Sequence, residues 1–183
     1  MTSIIHSERL DLILMTPDFF TACLRHDNAE AERILGAPPH PELFLQKELL
    51  TMRLAQCYEE PGYAPWTLRA IVLRETGEMV GHIGFHTEPN PDYLAEIAPH
   101  ALEFGYTVYT DFRRRGIAAE ACRALMDWAA QQPGVERFVL SISPENEPSL
   151  ALAQKLGFVR ISEWIDEEDG IEWVFERAVI PFR

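Results

Sequence analysis

The chain has 183 residues, long enough for one domain with a substantial core, and its 47% hydrophobic and 25% charged fractions are those of a globular protein. Sixteen Lys and Arg stand against 29 Asp and Glu, a formal net charge of −13, which argues against general nucleic-acid binding and against an anionic membrane surface. Such a balance suits a small cationic or amine substrate, although an acidic surface also serves solubility alone.

The three cysteines, Cys23, Cys57 and Cys122, have no motif spacing and sit in segments with helical apolar patterns, so they read as core. The opening MTSIIHSERL lacks a basic stretch followed by a long apolar run, so no signal peptide is expected. No apolar stretch approaches the roughly 18 residues needed to span a bilayer, and the expected location is the cytoplasm.

In chain order, ERLDLILM (8–15) alternates as a strand. Thr16 then caps a short helix over about 17–27, with Pro17 at its first position. APPHPEL (37–43) is a proline-rich connection, and 41–59 reads as a helix on Leu43, Leu50, Leu54 and Cys57. PGYAP (61–65) ends it. TLRAIVLR (67–74) and EMVGHIGFH (78–86) form strands around Glu75-Thr76-Gly77, a hairpin signal, and EPNPD (88–92) is a loop. LEFGYTVY (102–109) is a strand with Leu102, Phe104, Tyr106 and Val108 on one face. Residues 117–131 form an amphipathic helix whose stripe is Ile117, Ala121, Leu125, Trp128 and Ala129. RFVLSIS (137–143) is a strand, and SLALAQKLG (149–157) is a helix stopped at Gly157. FVRISEWI (158–165) and IEWVFERAV (171–179) are strands joined across Asp169-Gly170. The expected class is mixed α/β, a single domain over 1–183. It would hold a central, mostly antiparallel sheet of about seven strands flanked by about four helices.

Residues 112–118 read FRRRGIA, three arginines at one bend of an acidic chain. The helix that begins near Ile117 has N–H groups without intrahelical partners, and its dipole adds positive potential at this end. Gly116 and the small Ala118 let a ligand approach the backbone, and arginines can pair with phosphate. Alone, an arginine run is more often a solvated face. Its place between a strand and a helix favours a phosphate cradle. There is no GxxxxGK(S/T) and no GxGxxG after a strand, so neither a Walker-type loop nor a dinucleotide fingerprint is present.

Arg113-x-x-Gly116-x-Ala118 resembles the Gln/Arg-x-x-Gly-x-Gly/Ala acyl-CoA signature of the GNAT N-acetyltransferase superfamily. EFGYTVYTDFRRRGIAAEA (103–121) is similar to that family's strand, loop and helix, and PENEPSLALAQKLGF (144–158) to its second hallmark, Asn-x-x-Ser followed by Lys-Leu-Gly-Phe. ERLDL (8–12) resembles its opening strand and GEMVGHIGF (77–85) its third. Among its branches the ribosomal-protein alanine acetyltransferases (RimJ/RimL-type) look nearest, a branch that also holds small-molecule acetylators.

The resemblance implies splayed central strands and acetyl-CoA as acyl donor. Its pyrophosphate would lie on the amides of Arg113, Arg114, Arg115, Gly116, Ile117, Ala118 and Ala119. The main chain of Thr107, Val108 and Tyr109 would pair with the pantetheine arm and offer an N–H to the thioester oxygen. Asn146 and Ser149, from the second hallmark, would contact the cofactor. Asn146 would also serve as a helix cap, and both roles fit one residue. Attack by an amine needs a base. Glu103, opposite Leu102, Phe104 and Tyr106 in an apolar strand, is the candidate: partial desolvation would raise its pKa and suit it to act through water. The competing reading is a structural ion pair.

Where relatives carry a proton-donating tyrosine seven residues after the asparagine, this chain has Ala153. Ser143, Ser149 and Tyr109 are the remaining donors, and a thiolate also leaves unaided. The acceptor, a small-molecule or peptide amine, would sit between the helices of 17–59 and the hairpin of 163–173 with its Glu163, Asp166, Glu167, Glu168 and Asp169. Tyr63, Trp66, Trp164 and Trp173 either line it or fill core. His82 and His86 share a strand face without a third ligand, so no metal is expected, and no GxSxG accompanies them. The expected function is amine N-acetylation. A non-catalytic acyl-CoA sensor is the alternative, and a homodimer is the default assembly.

Overall fold

The computed structural model describes residues 4–166 and 170–179, with nothing stated for the Asp166 side chain. The chain packs as two compact units, Met1–Phe85 with Tyr106–Leu125, and His86–Gly105 with Met126–Arg183.

The first unit begins with β1 (Ile5–His6) and β2 (Leu10–Leu14), then α1 (Pro17–Leu24), α2 (Asn28–Leu35), α3 (Pro41–Phe44) and α4 (Lys47–Glu59), followed by β3 (Arg69–Leu73) and β4 (Met79–Phe85). It also holds the end of β5 (Ala101–Val108) and the start of α5 (Ile117–Ala129). Strand order is β1-β2-β3-β4-β5, with Ile5 opposite Leu12 and Leu12 opposite Ile71, all antiparallel through β4. Phe19, Phe20, Leu43, Leu50 and Tyr63 fill its core, together with Cys23 and Cys57. Among those cysteines, burial pushes the Cys23 thiol up to about 12, so it is a packing group and no nucleophile.

The second unit takes the start of β5, the end of α5, β6 (Arg137–Ile142), α6 (Glu147–Lys155), β7 (Val159–Asp166) and β8 (Gly170–Ala178), in strand order β5-β6-β8-β7. The β5–β6 pair is parallel, with Glu103 opposite Val139, and the remaining pairs are antiparallel. A parallel neighbour needs a crossover, and the strand–helix–strand run through α5 supplies it.

The class is therefore the expected mixed α/β fold, mostly antiparallel, with eight strands and six α-helices among the described residues where about seven and four were expected. Each difference has a physical cause. The two-residue β1 is too short to show alternation. The helix of 17–27 stops at Leu24 because His26 turns left-handed (φ 58) and the Asp27 side chain caps a new helix, accepting from Glu30 N at 3.1 Å. Gly36 ends that helix at φ 81. The helix of 41–59 is two, broken at Gln46 (ψ 43), and the short α3 directs Glu42 onto Thr110, whose N–H it accepts at 2.9 Å.

The caps behave as their chemistry requires. Thr16 Oγ1 accepts from Phe19 N, and Pro17 sits in the first turn, where a missing N–H costs nothing. Gly77 and Gly157 take φ 73 and 81 at the hairpin and at the end of α6. The turn across Asp169 lies outside the described residues.

Gly81 and Gly84 of β4 are fixed by close approach of neighbouring backbone, Gly81 most tightly. A Cβ on Gly81 of β4 would lie 2.2 Å from Thr107 O of β5, a contact that only strand separation could relieve. Gly81→Ala should lower stability by about 1–3 kcal/mol, the usual range for forced overpacking, read as a drop in the urea midpoint with unchanged slope.

Candidate active site

In the first unit, the loop between β5 and α5 turns sharply. A 3-10 turn over Thr110–Phe112 hands the chain to Arg113, and both Arg114 (φ 60) and Gly116 (φ 77) are left-handed. Residues 113–116 are exposed, whereas Ile117 and Ala119 are buried and anchor the helix. The first intrahelical bond runs from Glu120 N to Gly116 O (3.1 Å), so the amides of Ile117, Ala118 and Ala119 precede the helical ladder. The left-handed Arg114 and Gly116 bend the chain sharply just ahead of the first helical amides, the kind of turn in which backbone N–H groups form anion sites.

Two of the arginines brace the loop. Arg113 Nε donates to Val108 O at 3.0 Å, and Arg115 donates to Asp111 O at 2.8 Å while its guanidinium lies 5.4 Å from the Phe112 ring centre. A brace that the sequence reading missed comes from the N-terminus. Glu120 accepts from Ser7 Oγ, Arg9 N and Arg9 Nε, each at 2.7 Å, and Arg9 also reaches Arg115 O at 3.2 Å. Burial of Glu120 alone would raise its pKa, but these donors hold it below 4.5, so it stays charged in the first turn of α5. The only hint of this in the sequence is an acid in a first helical turn. Its partner is 111 positions away.

Of the strand end, Tyr109 N–H is taken by Val80 O at 2.9 Å, so that amide is not the one left for a pantetheine arm. The Tyr109 side chain is fully buried, stacked on His40 (4.4 Å between ring centres), with its hydroxyl 3.5 Å from His82 Nδ1. Burial raises its pKa far above that of an ordinary phenol, and the hydroxyl is sealed from solvent. His82 itself is held down to about 4 by burial and is a neutral core group.

In the second unit, Glu103 of β5 is 4% exposed. One carboxylate oxygen accepts from Ser141 Oγ at 2.5 Å; the other accepts from Tyr93 OH at 2.7 Å and lies 3.6 Å from His86 Nδ1. The expected upward shift of its pKa is overturned. Burial, the largest influence, does push it up, but the contacts with His86, Ser141 and Tyr93 together hold it below 4.5. The parallel register opposite Val139 puts Ser141 one pleat away on the same face. Tyr93 is set by the 3-10 turn Asp92–Leu94, whose Leu94 is buried in this unit's core, and its ring meets Trp164 edge-on at 6.2 Å. His86, Tyr93 and Ser141 were not singled out as site residues in the sequence, because their spacing shows no motif.

Asn146 is the cap of α6, its Oδ1 accepting from Ser149 N at 3.2 Å. Ala153 is fully buried in α6. Tyr63 is core, donating to Phe85 O at 2.8 Å; Trp66 packs partly buried on the same core; Arg160 covers Trp173 at 4.2 Å. Glu167, Glu168 and Asp169 of the acidic hairpin lie outside the described residues. Among the described residues, no group of three or more His, Cys, Asp or Glu could hold a metal, and no helix is long and apolar enough to cross a membrane.

A signature loop opening α5, and a buried glutamate on the strand before it, define a class. The Acetyltransferase (GNAT) domain family matches residues 9–159, and the chain belongs to that family. It is 27% identical over 107 residues to the uncharacterized N-acetyltransferase YnaD of Bacillus subtilis, covering 53% of this chain and 58% of that relative. It is 26% identical over 175 residues to the uncharacterized N-acetyltransferase p20 of Bacillus licheniformis, covering 95% of this chain and 88% of the other. Its fold is that of RimL, a ribosomal L7/L12 alpha-N-protein acetyltransferase solved with coenzyme A, at a TM-score of 0.65 and 18% identity over 97% and 98% of the two chains.

A carboxylate with a depressed pKa stabilises the fold above its unfolded value near 4.5 and loses that contribution as pH falls through the lower folded value. Glu103→Gln should therefore flatten the acid limb of stability. The gap between native and variant unfolding free energies should shrink as pH drops below 4.5, in denaturant titrations at a series of pH values.

Proposed function

We propose that the protein is an acetyl-CoA-dependent N-acetyltransferase that moves an acetyl group to a primary amine, a peptide N-terminus or a small molecule, by direct attack on the thioester. The observation that carries this reading is the loop before α5. Its exposed residues 113–116 include two left-handed positions, and it leads into amides that precede the helical ladder. Such a bend suits a pyrophosphate, and a fold relative has been solved with coenzyme A.

In this reading the amides from Arg113 through Ala119 hold the pyrophosphate. Arg113 and Arg115 keep the loop's shape, so the main chain rather than the arginine tips does most of the holding. Thr107 and Val108 carry the pantetheine arm and polarise the thioester carbonyl. Asn146 and Ser149 add contacts beside their capping role. Glu103 is the general base, coupled to the amine through an intervening group because its own oxygens are enclosed. The net charge of −13 favours a cationic acceptor. All 183 residues work as one transferase domain, in the cytoplasm.

The buried Ala153 supports the second reading, an acyl-CoA sensor without turnover, because it leaves α6 without a proton donor at that position. Calorimetric titration with acetyl-CoA tests the shared premise. The native chain should bind with micromolar affinity, about −8 kcal/mol. Gly116→Glu should abolish binding by placing a bulky acid at a left-handed residue (φ 77), with its melting temperature as the folding control. Absence of binding by the native chain would remove both readings.

A further inference from the structure

Within the first unit, the loop that opens α5 is held from outside itself by the turn between β1 and β2. That turn, Ser7 to Leu10, is closed by its own bonds. Ser7 N–H donates to Leu10 O at 2.9 Å, and Leu10 N–H donates to Ser7 Oγ at 3.0 Å. Arg74 N–H donates to Arg9 O at 3.0 Å, and Leu10 is fully buried, so the turn has a fixed base. From this base Arg9 grips α5. Its backbone N–H donates to Glu120 Oε1 and its Nε to Glu120 Oε2, each at 2.7 Å. Nη1 of the same guanidinium donates to Arg115 O at 3.2 Å. A Cβ on Gly116 would stand 3.5 Å from Arg9 Nη2, so the guanidinium lies flush against the bend.

One side chain thus joins the carboxylate in the first turn of α5 to the last carbonyl before the left-handed Gly116 (φ 77). The path between them needs holding. Arg114 sits at φ 60 without being glycine, a conformation that persists where the surroundings enforce it. Arg113 and Arg115 tie this path to carbonyls at residues 108 and 111, within the same strand end and loop. Arg9 ties it to a different part of the sheet.

We propose that Arg9 is a positioning residue for acyl-CoA: its planar fork sets the bend in the shape that binds, and bound acyl-CoA in turn fastens Arg9 onto Glu120. This rests on the acyl-CoA binding taken as the premise above, and adds to it a residue outside the signature and a linkage between the β1–β2 turn and the loop. A loop already shaped by folding gives up less conformational freedom on binding. If the bend binds more tightly with Arg9 docked, bound acyl-CoA must favour the docked state by the same factor. The role is one of shape. A guanidinium reaches the carboxylate and the carbonyl together, whereas an ammonium supplies the same charge without the fork.

Calorimetric titration of the full chain with acetyl-CoA is the first arm. Arg9→Met should weaken binding about three- to tenfold, the scale of ordering one side chain, and Arg9→Lys by about as much. Glu120→Gln, whose amide sets a donor against Arg9 Nε, should do the same. The double variant Arg9→Met/Glu120→Gln should bind no more weakly than either single one, because both break one tie. Thermal melts check that each variant folds. The second arm needs no variant: amide hydrogen exchange in the native chain, read by NMR. At saturating acetyl-CoA, exchange of the Arg9 N–H held by Glu120 should slow by the factor that Arg9→Met costs in affinity. Native affinity in Arg9→Lys would reduce the role to charge and overturn the proposal. An Arg9 amide indifferent to acetyl-CoA would overturn it too, and either result leaves the transferase reading standing. A native chain that binds no acetyl-CoA sinks both.

Discussion

A charge buried in mid-strand is the constraint around which the second unit is arranged. Taking a carboxylate out of water costs several kcal/mol unless donors replace the lost solvent. Glu103 is 4% exposed, and three separate segments converge on it: Ser141 from β6, Tyr93 from the turn after β4, and His86 from the end of that strand. The parallel pairing of β5 with β6 is what brings Ser141 into reach, and the crossover through α5 is what makes that pairing possible. Tyr93 is held there because Leu94 beside it is buried with Ala98, Ala101, Val139 and Val174. The same donors that make the burial tolerable also depress the carboxylate's pKa, so the buried group keeps its charge.

The first unit solves a different electrostatic problem. Three consecutive arginines in a chain of net charge −13 look at first like an anion trap made of side chains. Instead Arg113 and Arg115 turn back onto carbonyls of their own loop, and Arg9 reaches across to the Arg115 carbonyl while pairing with Glu120. Guanidinium groups spent in this way hold the backbone in a sharp, partly left-handed path. Any anion at the bend would then meet fixed amides whose orientation has already been set by folding, which lowers the ordering cost of binding.

What was legible in the sequence had local causes. Thr16 and Pro17 announce α1, Gly157 ends α6, Gly77 turns the β3–β4 hairpin, and Asn146 caps α6 through Ser149 N. In each, the controlling atoms lie within four residues of one another, so a residue type at one position is enough. The apolar stripe of α5 was equally plain: Ile117, Ala121, Leu125 and Ala129 recur at helical spacing and are buried, while Trp128, read with them, is only partly buried. The separation of α1 from α2 was missed although its agents, His26 and Asp27, are local too; a left-handed histidine is rare enough that composition does not flag it. The break at Gln46 has a distant cause, since α3 is held where Glu42 meets Thr110.

By itself, the sequence determined the class of fold, the family, the strand–loop–helix with its arginine bend, and the candidacy of Glu103. The fold class and the strand–loop–helix follow from periodicity and short spacings, which a linear string preserves; the family and the role offered for Glu103 came with the resemblance of its motifs to that family. Only the tertiary structure decided what surrounds that glutamate, that Tyr109 is a sealed core group, and that Glu120 is tied to the N-terminal segment. Partners at separations of 10, 38 and 111 residues are chosen by strand register and packing, and register is a property of two strands at once. For the same reason the sign of the Glu103 shift could not be read in advance. Burial and hydrogen bonding oppose each other there, and only the placement of Ser141, Tyr93 and His86 settles which prevails.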